Sequence, residues 1–202
     1  DDSYLEQPAV DTIKKIQLYV ESLGKYGDSP YLYPIYGLGG LPESFSRLCA
    51  IHGGTYMLNT KVDEILMDGG KVTGIRCGDE TAKAPIVICD PSYVSEKKVK
   101  VVGKVIRAIC ILDHPIPNTH EAQSCQIILP QEQLNRNSDI YISMVSSSHA
   151  VCAKNLYIAS ISTTVETSNP EQEIQVAVES LGPVLEMFVQ VTNVFEPTDN
   201  GK

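Results

Sequence analysis

The first periodic segment of the chain is predicted to be an amphipathic helix. After Pro8, apolar residues recur at steps of three and four, and the pattern ends at Gly24 and Gly27. Proline suits the first turn of a helix and glycine suits its end, so both boundaries agree with the apolar spacing. The apolar positions are Val10, Ile13, Ile16, Val20 and Leu23.

A glycine-rich turn is predicted to open a second, shorter helix. Pro30 and Pro34 exclude helix from the tyrosine-rich segment before this turn, because proline disfavours helical backbone in the residue that precedes it. The turn covers residues 37–40, and a pair of glycines at 53–54 ends the helix. Between them, one helical face carries Leu41, Phe45, Leu48 and Ile51.

Short apolar runs predict strands along most of the remaining chain. Residues 62–67 and 71–76 flank Asp68-Gly69-Gly70, which is typical of a tight hairpin. A short strand is predicted at 56–59, and the continuous apolar run at 86–89 is typical of a strand buried on both faces. Longer runs separated by Pro, Asn and Ser clusters predict an antiparallel meander over residues 105–112, 125–129, 140–145 and 156–165.

The end of the chain is predicted to form a helix and a final strand. Asn169 supplies a helix cap and Pro170 a first-turn proline, Gly182-Pro183 should kink the helix, and residues 189–195 follow as a strand. The apolar stripe of this helix is predicted to comprise Ile174, Ala177, Val178, Leu181, Leu185 and Phe188.

These elements predict an α+β or mixed α/β fold, in which a mixed sheet joins an antiparallel meander and helices flank both. The content of 43% hydrophobic and 20% charged residues is that of a globular protein. No stretch approaches the roughly 18 apolar residues of a membrane-spanning helix. The chain starts at Asp1 without a signal peptide, and we expect it to be truncated at both termini.

The charge balance argues against a nucleic-acid partner. Sixteen Lys and Arg against 25 Asp and Glu give a formal net charge of −9, whereas nucleic-acid affinity comes largely from neutralising phosphates. The local exception is a basic run, which fits either a solvated face or a patch that meets an acidic protein or membrane head groups. The run comprises Lys97, Lys98, Lys100, Lys104 and Arg107.

No set of residues has the spacing of a known active site. The turn at 37–40 departs from a dinucleotide fingerprint because Pro42 stands where the third glycine belongs, so a structural turn is favoured over a phosphate cradle. The four histidines lack metal-ligand spacing, and the serines at 146–148 lack the surroundings of a nucleophile elbow. The six cysteines contain no C-x-x-C motif and are expected to be small buried residues of a reducing cytosol. We therefore expect no catalytic residues, metal, flavin or nicotinamide.

Several long stretches closely resemble the Rab GDP dissociation inhibitor family, with Rab escort proteins as a sister possibility. Together they extend the resemblance over nearly the whole chain. The stretches are Pro30-Tyr31-Leu32-Tyr33-Pro34-Ile35-Tyr36-Gly37-Leu38-Gly39, Gly53-Gly54-Thr55-Tyr56-Met57-Leu58-Asn59, Ile88-Cys89-Asp90-Pro91-Ser92-Tyr93, and residues 124–128, 138–141 and 162–167.

The resemblance implies a cytoplasmic, non-enzymatic carrier. Such a protein binds prenylated Rab GTPases in the GDP form, slows GDP release and contacts membranes transiently while recycling its cargo. The family fold is similar to that of FAD-dependent monooxygenases and oxidases. On this pattern, residues 1–30 form the end of a helical domain with a connecting helix, and residues 31–202 form a sheet domain that lacks its N-terminal dinucleotide-fold segment.

The resemblance also assigns candidate Rab-binding residues to the stretch 39–57. Arg47, Thr55 and Met57 match family positions of the Rab-binding platform, and Gly40 stands where the family has an acidic residue. Two alternatives remain open. Gly40 also suits the middle segment of a flavin amine oxidase or desaturase, and the chain could be an inactive fragment with exposed edge strands.

Overall fold

The computed structural model describes residues 5–25 and 31–198. Their strands form a small sheet and a larger one, with two α-helices before the first strand and two more before the last strand. The elements are α1 (Ala9–Leu23), α2 (Gly40–Ile51), β1 (Glu64–Asp68), β2 (Lys71–Cys77), β3 (Glu80–Lys83), β4 (Val99–Leu112), β5 (Ser124–Leu129), β6 (Ile140–Ser146), β7 (Tyr157–Thr164), α3 (Pro170–Glu173), α4 (Gln175–Ser180) and β8 (Glu186–Pro197).

The larger sheet is antiparallel and has the order β5-β6-β7-β4-β8. Strands β5, β6 and β7 form the predicted meander, but β4 lies between β7 and β8. Its pairing with β7 runs from Val105 opposite Thr164 to Leu112 opposite Tyr157, and β8 pairs along its other edge. This interior position agrees with the burial of every second residue of β4 from Ile106 to Leu112.

The hydrophobic core lies on one face of this sheet. Alternate residues of β4, β6 and β7 point to that face and are buried because strand side chains alternate in direction. The short helices near the end of the chain cover it through Ile174, Ala177 and Leu181, each at most 1% exposed. The larger sheet and these helices thus form the packed body of the described chain.

The predicted long helix at the end of the chain is wrong in its extent. It is broken at Ile174 into α3 and α4, and α4 ends at Ser180 with Leu181 as its C-cap. Gly182 takes a φ of +81°, and Pro183 has no amide hydrogen to continue the helix, so the pair ends it rather than kinking it. The last two members of the predicted stripe leave the helix, since Leu185 precedes β8 and Phe188 lies within it.

The small sheet confirms the predicted hairpin. Strands β1 and β2 are joined by Gly69 and Gly70, whose φ angles of +55° and +80° suit a tight two-residue turn. Strand β3 pairs with the far edge of β2. The strand predicted at 56–59 is not formed, because the chain turns at Leu58 and Asn59, with a φ of +54° at Asn59.

The predicted buried strand at 86–89 is also wrong. Ile86 is 74% exposed and Ile88 is 95% exposed, and no described strand pairs with them. An apolar run is buried in a sheet only where strands flank it on both sides, and residues 5–25 and 31–198 supply none here. The run lines a groove of about 780 Å³ together with Val99 and Phe195.

The fold class is confirmed as α+β, with antiparallel pairing throughout the described strands. The parallel strands of a mixed sheet are absent from this part of the chain. The predicted first helix is α1, capped by Gly24, while Gly27 and the domain boundary predicted at residue 30 lie outside the described residues. No helix in the described ranges combines the length and apolar character needed to span a membrane.

The six cysteines are free thiols, as expected. Their predicted burial is only partly right, because Cys110 is buried, Cys89 is exposed and the other four are half-buried. Burial raises the pKa of the Cys110 thiol. This thiol is therefore protonated at neutral pH and behaves as a small apolar residue of the core.

Candidate functional site

The four candidate residues lie on α2 and on the segment that follows it. Gly40 is the first residue of α2 and Arg47 lies in its middle. Thr55 and Met57 follow the helix, and both are exposed. We call residues 39–57 the platform. Its parts are held near each other because the chain reverses directly after the helix.

Two glycines make that reversal possible. Gly53 has a φ of +81°, a left-handed conformation that glycine adopts without steric penalty. The amide of Gly54 then donates a hydrogen bond of 2.9 Å to the carbonyl of Cys49. A Cβ atom at Gly54 would overlap the Sγ of Cys49. This close approach reverses the chain at the end of α2, and Thr55 and Met57 follow directly after it.

The platform presents an apolar surface to solvent. Leu41, Phe45, Leu48 and Ile51 share a helical face, as predicted, yet they are between 47% and 69% exposed. Met57 is 62% exposed. Contiguous apolar surface that no described residue covers is typical of a surface that receives another part of the chain or a partner.

The candidate cation at the centre of the platform is available to a partner. Arg47 is exposed, and within residues 5–25 and 31–198 its guanidinium forms no salt bridge. A guanidinium can bind a carboxylate through two parallel hydrogen bonds. The basic run behaves differently, because Lys100 lies 3.3 Å from Glu196. Part of its charge is thus neutralised, which favours the solvated-face interpretation.

The segment before the platform, residues 33–37, packs against the loop after β6. The sequence did not predict this contact. The amide of Tyr36 donates a 2.8 Å hydrogen bond to the carbonyl of His149. The rings of Tyr33 and His149 meet edge to face, with centroids 5.6 Å apart. Gly37, with a φ of +90°, approaches the side chain of Val151 closely. These contacts hold the segment directly before the platform against the loop that follows β6 of the larger sheet.

The described residues show no metal centre. No group of three or more His, Cys, Asp or Glu side chains within residues 5–25 and 31–198 is placed to hold a metal ion. The turn at 37–40 opens α2 after a proline-broken loop rather than after a strand. The platform exposes the guanidinium of Arg47, the hydroxyl of Thr55 and a broad apolar area.

Comparison with known proteins identifies the same family. Residues 1–202 match the family model described as "GDI: GDP dissociation inhibitor". Over 200 residues, the chain is 56% identical to Rab GDP dissociation inhibitor beta of Rattus norvegicus and to that of Canis lupus familiaris. Each alignment covers 99% of this chain and 45% of the relative, so the chain spans about half the length of these relatives.

Solved structures agree with this result. A crystal structure of Rab GDI from Plasmodium falciparum matches with a TM-score of 0.93 and 51% identity, over 98% of this chain and 46% of that one. An oxidoreductase from Methanosarcina mazei matches with a TM-score of 0.56 and 16% identity, over 90% of this chain and 48% of that one. The second match shows only a shared fold, and its low sequence identity does not support the oxidase alternative. The chain belongs to the GDP dissociation inhibitor family.

Proposed function

We propose that the protein binds prenylated Rab GTPases in their GDP-bound form, slows the release of GDP and carries the GTPases between membranes and the cytosol. The observation that carries this proposal is the family match over residues 1–202, together with 56% identity to Rab GDP dissociation inhibitor beta of the rat. Since the chain spans about half of that relative, the activity is proposed for the full-length protein.

In this proposal the platform is the surface that recognises the GTPase. Arg47 pairs with an acidic group of the partner, because its guanidinium is exposed and has no salt bridge among the described residues. Thr55 offers a hydroxyl group. Met57 supplies a flexible apolar side chain that can fit an irregular surface. Gly40 contributes only backbone at the start of α2, where an acidic side chain is expected in the family.

We also propose that the protein has no catalytic turnover and binds no flavin or nicotinamide. The fold it shares with an oxidoreductase at 16% identity does not imply a shared activity, since function depends on the site and not on the fold. The test is to denature the purified full-length protein and record the visible absorbance of the supernatant. A stoichiometric flavin spectrum would contradict the proposal.

The carrier function is tested by the rate of nucleotide release. A prenylated Rab GTPase is loaded with a fluorescent GDP analogue, and release is followed with and without the full-length protein. We expect slower release from the complex and extraction of the GTPase from vesicles. The same GTPase loaded with a non-hydrolysable GTP analogue is the matched control and should stay on the vesicles. An unchanged GDP release rate at saturating protein would refute the function.

A further inference from the structure

We infer that Tyr36 is a contact residue for the Rab partner, presented to it by a backbone that the loop after β6 holds in a strained conformation. The inference rests on the proposed function and extends the recognition surface beyond residues 39–57. Its evidence is a combination of backbone conformation, anchoring and exposure at one residue.

The backbone conformation of Tyr36 is unfavourable for its side chain. Its φ is +71°, in the left-handed region that glycine and asparagine enter most readily. A bulky aromatic residue is an outlier there. Such strain persists only where the surrounding structure enforces it, and it clusters at functional sites.

The surroundings of Tyr36 enforce this conformation from both sides. Its amide donates to the carbonyl of His149 at 2.8 Å, and the amide of Gly37 donates to the carbonyl of Pro34 at 3.1 Å. The edge-to-face contact between Tyr33 and His149 fixes the preceding residues on the same loop. The chain therefore keeps one defined path through the strained position.

Burial of the ring does not compensate for this strain. The side chain of Tyr36 is 80% exposed, whereas Tyr33, which contacts His149, is 37% exposed. Nearby in the sequence, Leu32 is 80% exposed and Leu38 is 63% exposed. Within the described residues, the ring of Tyr36 thus lies in an exposed apolar stretch that continues into the platform.

An exposed aromatic ring on a fixed backbone suits a binding contact. Tyrosine is enriched among the interface residues that contribute most to affinity, because it offers a large apolar area with few rotatable bonds. A fixed backbone also reduces the entropy lost when the ring is ordered in a complex. The partner that fits is the surface of the GDP-bound GTPase that meets the adjoining platform.

The test separates a contact residue from a structural one by measuring affinity and stability together. In the full-length protein, Tyr36→Asn removes the ring and introduces a residue that tolerates positive φ. Tyr36→Phe retains the ring. Glu121→Gly is the matched control, since Glu121 is exposed and also has a positive φ, at +57°. Affinity is measured with the prenylated GTPase bound to GDP, and stability is measured as the thermal midpoint.

We expect Tyr36→Asn to weaken binding by about ten-fold or more, with an unchanged or higher thermal midpoint. Tyr36→Phe should keep most of the affinity, and Glu121→Gly should keep all of it. Parental affinity in Tyr36→Asn would overturn the inference, as would a lowered thermal midpoint, which would assign the ring a structural role. If the parental protein does not bind the GTPase, the proposed function itself fails, and this is visible before any variant is compared.

Discussion

The guanidinium Nη2 of Arg136 lies 2.8 Å from Oε2 of Glu173, and the two side chains are only 10% and 4% exposed. Glu173 also accepts hydrogen bonds from the amides of Glu166 and Thr167 and from the Thr167 hydroxyl. Arg136 donates a second hydrogen bond to the carbonyl of Thr164. This network joins α3 to the end of β7 and to the connection before β6, so it holds the helical cover on the sheet.

We expect Glu173→Gln to lower the free energy of unfolding by about 1.5–3 kcal/mol, because the enclosed Arg136 would lose its short charged hydrogen bond and keep only the longer pairing with Glu166 at 3.6 Å. Urea denaturation near neutral pH measures the change. Glu171→Gln is the control, since Glu171 is exposed on the same short helix and should change stability by less than about 0.5 kcal/mol. Equal effects of the two substitutions would show that the ion pair contributes nothing.

The same pair predicts acid sensitivity. Burial raises the pKa of Glu173, but the hydrogen bonds from Thr167 and Arg136 outweigh it and hold the pKa below its usual 4.5. A pKa lowered by folding stabilises the protein above the unfolded value and loses that contribution as pH falls through the folded value. The stability difference between the parent and Glu173→Gln should therefore shrink below pH 4.5. A difference that stays constant with pH would contradict this assignment.

His114 predicts the opposite pH dependence. Its Nδ1 lies 2.7 Å from the carbonyl of Pro115 and its Nε2 lies 3.0 Å from the carbonyl of Pro183. Both carbonyls accept, so only the doubly protonated ring can donate to both. These hydrogen bonds, to Pro115 first and then to Pro183, raise the pKa of His114 above 6.5, with a smaller contribution from Asp113.

A pKa raised by folding stabilises the protein fully below the unfolded value, and the contribution is lost as pH rises through the folded value. We therefore expect His114→Asn to reduce the free energy of unfolding by about 1 kcal/mol below pH 6.5, and by less in alkaline solution. Urea denaturation at a series of pH values on both sides of 6.5 measures this difference in the free energy of unfolding. His120→Asn, at an exposed histidine, is the control, and a pH profile shared by both variants would exclude the role of His114.

The local pattern was enough to predict the parts of the fold that depend on short-range order. Two adjacent glycines predicted the hairpin turn at 69–70, and the long apolar run around Ile106 predicted strand β4. The predictions were wrong where the structure of a segment depends on other segments that pack beside it. Residues 86–89 have the composition of a buried strand, but no described strand lies beside them. Whether a strand is buried depends on the strands and helices that pack around it, and not only on its own sequence.

In the candidate site, too, the local features were predicted from the sequence and the long-range contacts were not. The sequence placed Gly40 and Arg47 on one helix, and the structure has that helix at Gly40–Ile51. It gave no sign that His149, more than a hundred residues later in the printed sequence, would support Tyr36. A carbonyl that accepts a distant amide leaves no pattern in side-chain types, so contacts of this kind become visible only in the structure.

The reversal after α2 predicts a steric double mutant. Gly54→Ala places a methyl group into the Sγ of Cys49 and 3.1 Å from its carbonyl oxygen, so we expect a loss of about 1–3 kcal/mol in stability. Cys49→Ala removes the sulfur, and the double variant should recover part of the loss. Thermal or urea unfolding of the four proteins measures the coupling. Additive effects would show that the two residues do not press on each other.

We expect the substitution of Arg47 to weaken binding of the GTPase without lowering the stability of the protein. Its side chain is exposed and forms no salt bridge within the described ranges, so Arg47→Ala should leave the thermal midpoint unchanged. If a carboxylate of the GTPase pairs with it in the complex, affinity should fall by about 2–5 kcal/mol. Arg107→Ala, at an exposed arginine on β4, is the control. Unchanged equilibrium and rate constants for Arg47→Ala would remove this residue from the proposed interface.

We expect a carboxylate introduced at Gly40 to increase the affinity for the GTPase. A Cβ atom there would have the carbonyl oxygen of Ile35 as its nearest neighbour at 3.9 Å, an ordinary contact, and its φ is not positive. A carboxylate at the start of a helix also interacts favourably with the helix dipole. Gly40→Glu should thus be accommodated without loss of stability, in contrast to Gly54→Ala. The thermal midpoint checks this part of the prediction.

We expect Gly40→Glu to tighten binding of the GDP-bound GTPase by roughly ten- to a hundred-fold, because a hydrogen bond to a charged group contributes about 1.5–3 kcal/mol. Gly39→Glu is the matched control, since Gly39 is adjacent, has space around it and also lacks a positive φ. If only Gly40→Glu tightens binding, the carboxylate makes a specific contact. If both variants tighten it equally, the gain comes from long-range charge. Unchanged affinity at unchanged stability would place residue 40 outside the interface, and the remaining affinity would then depend on Arg47 and the apolar surface of α2.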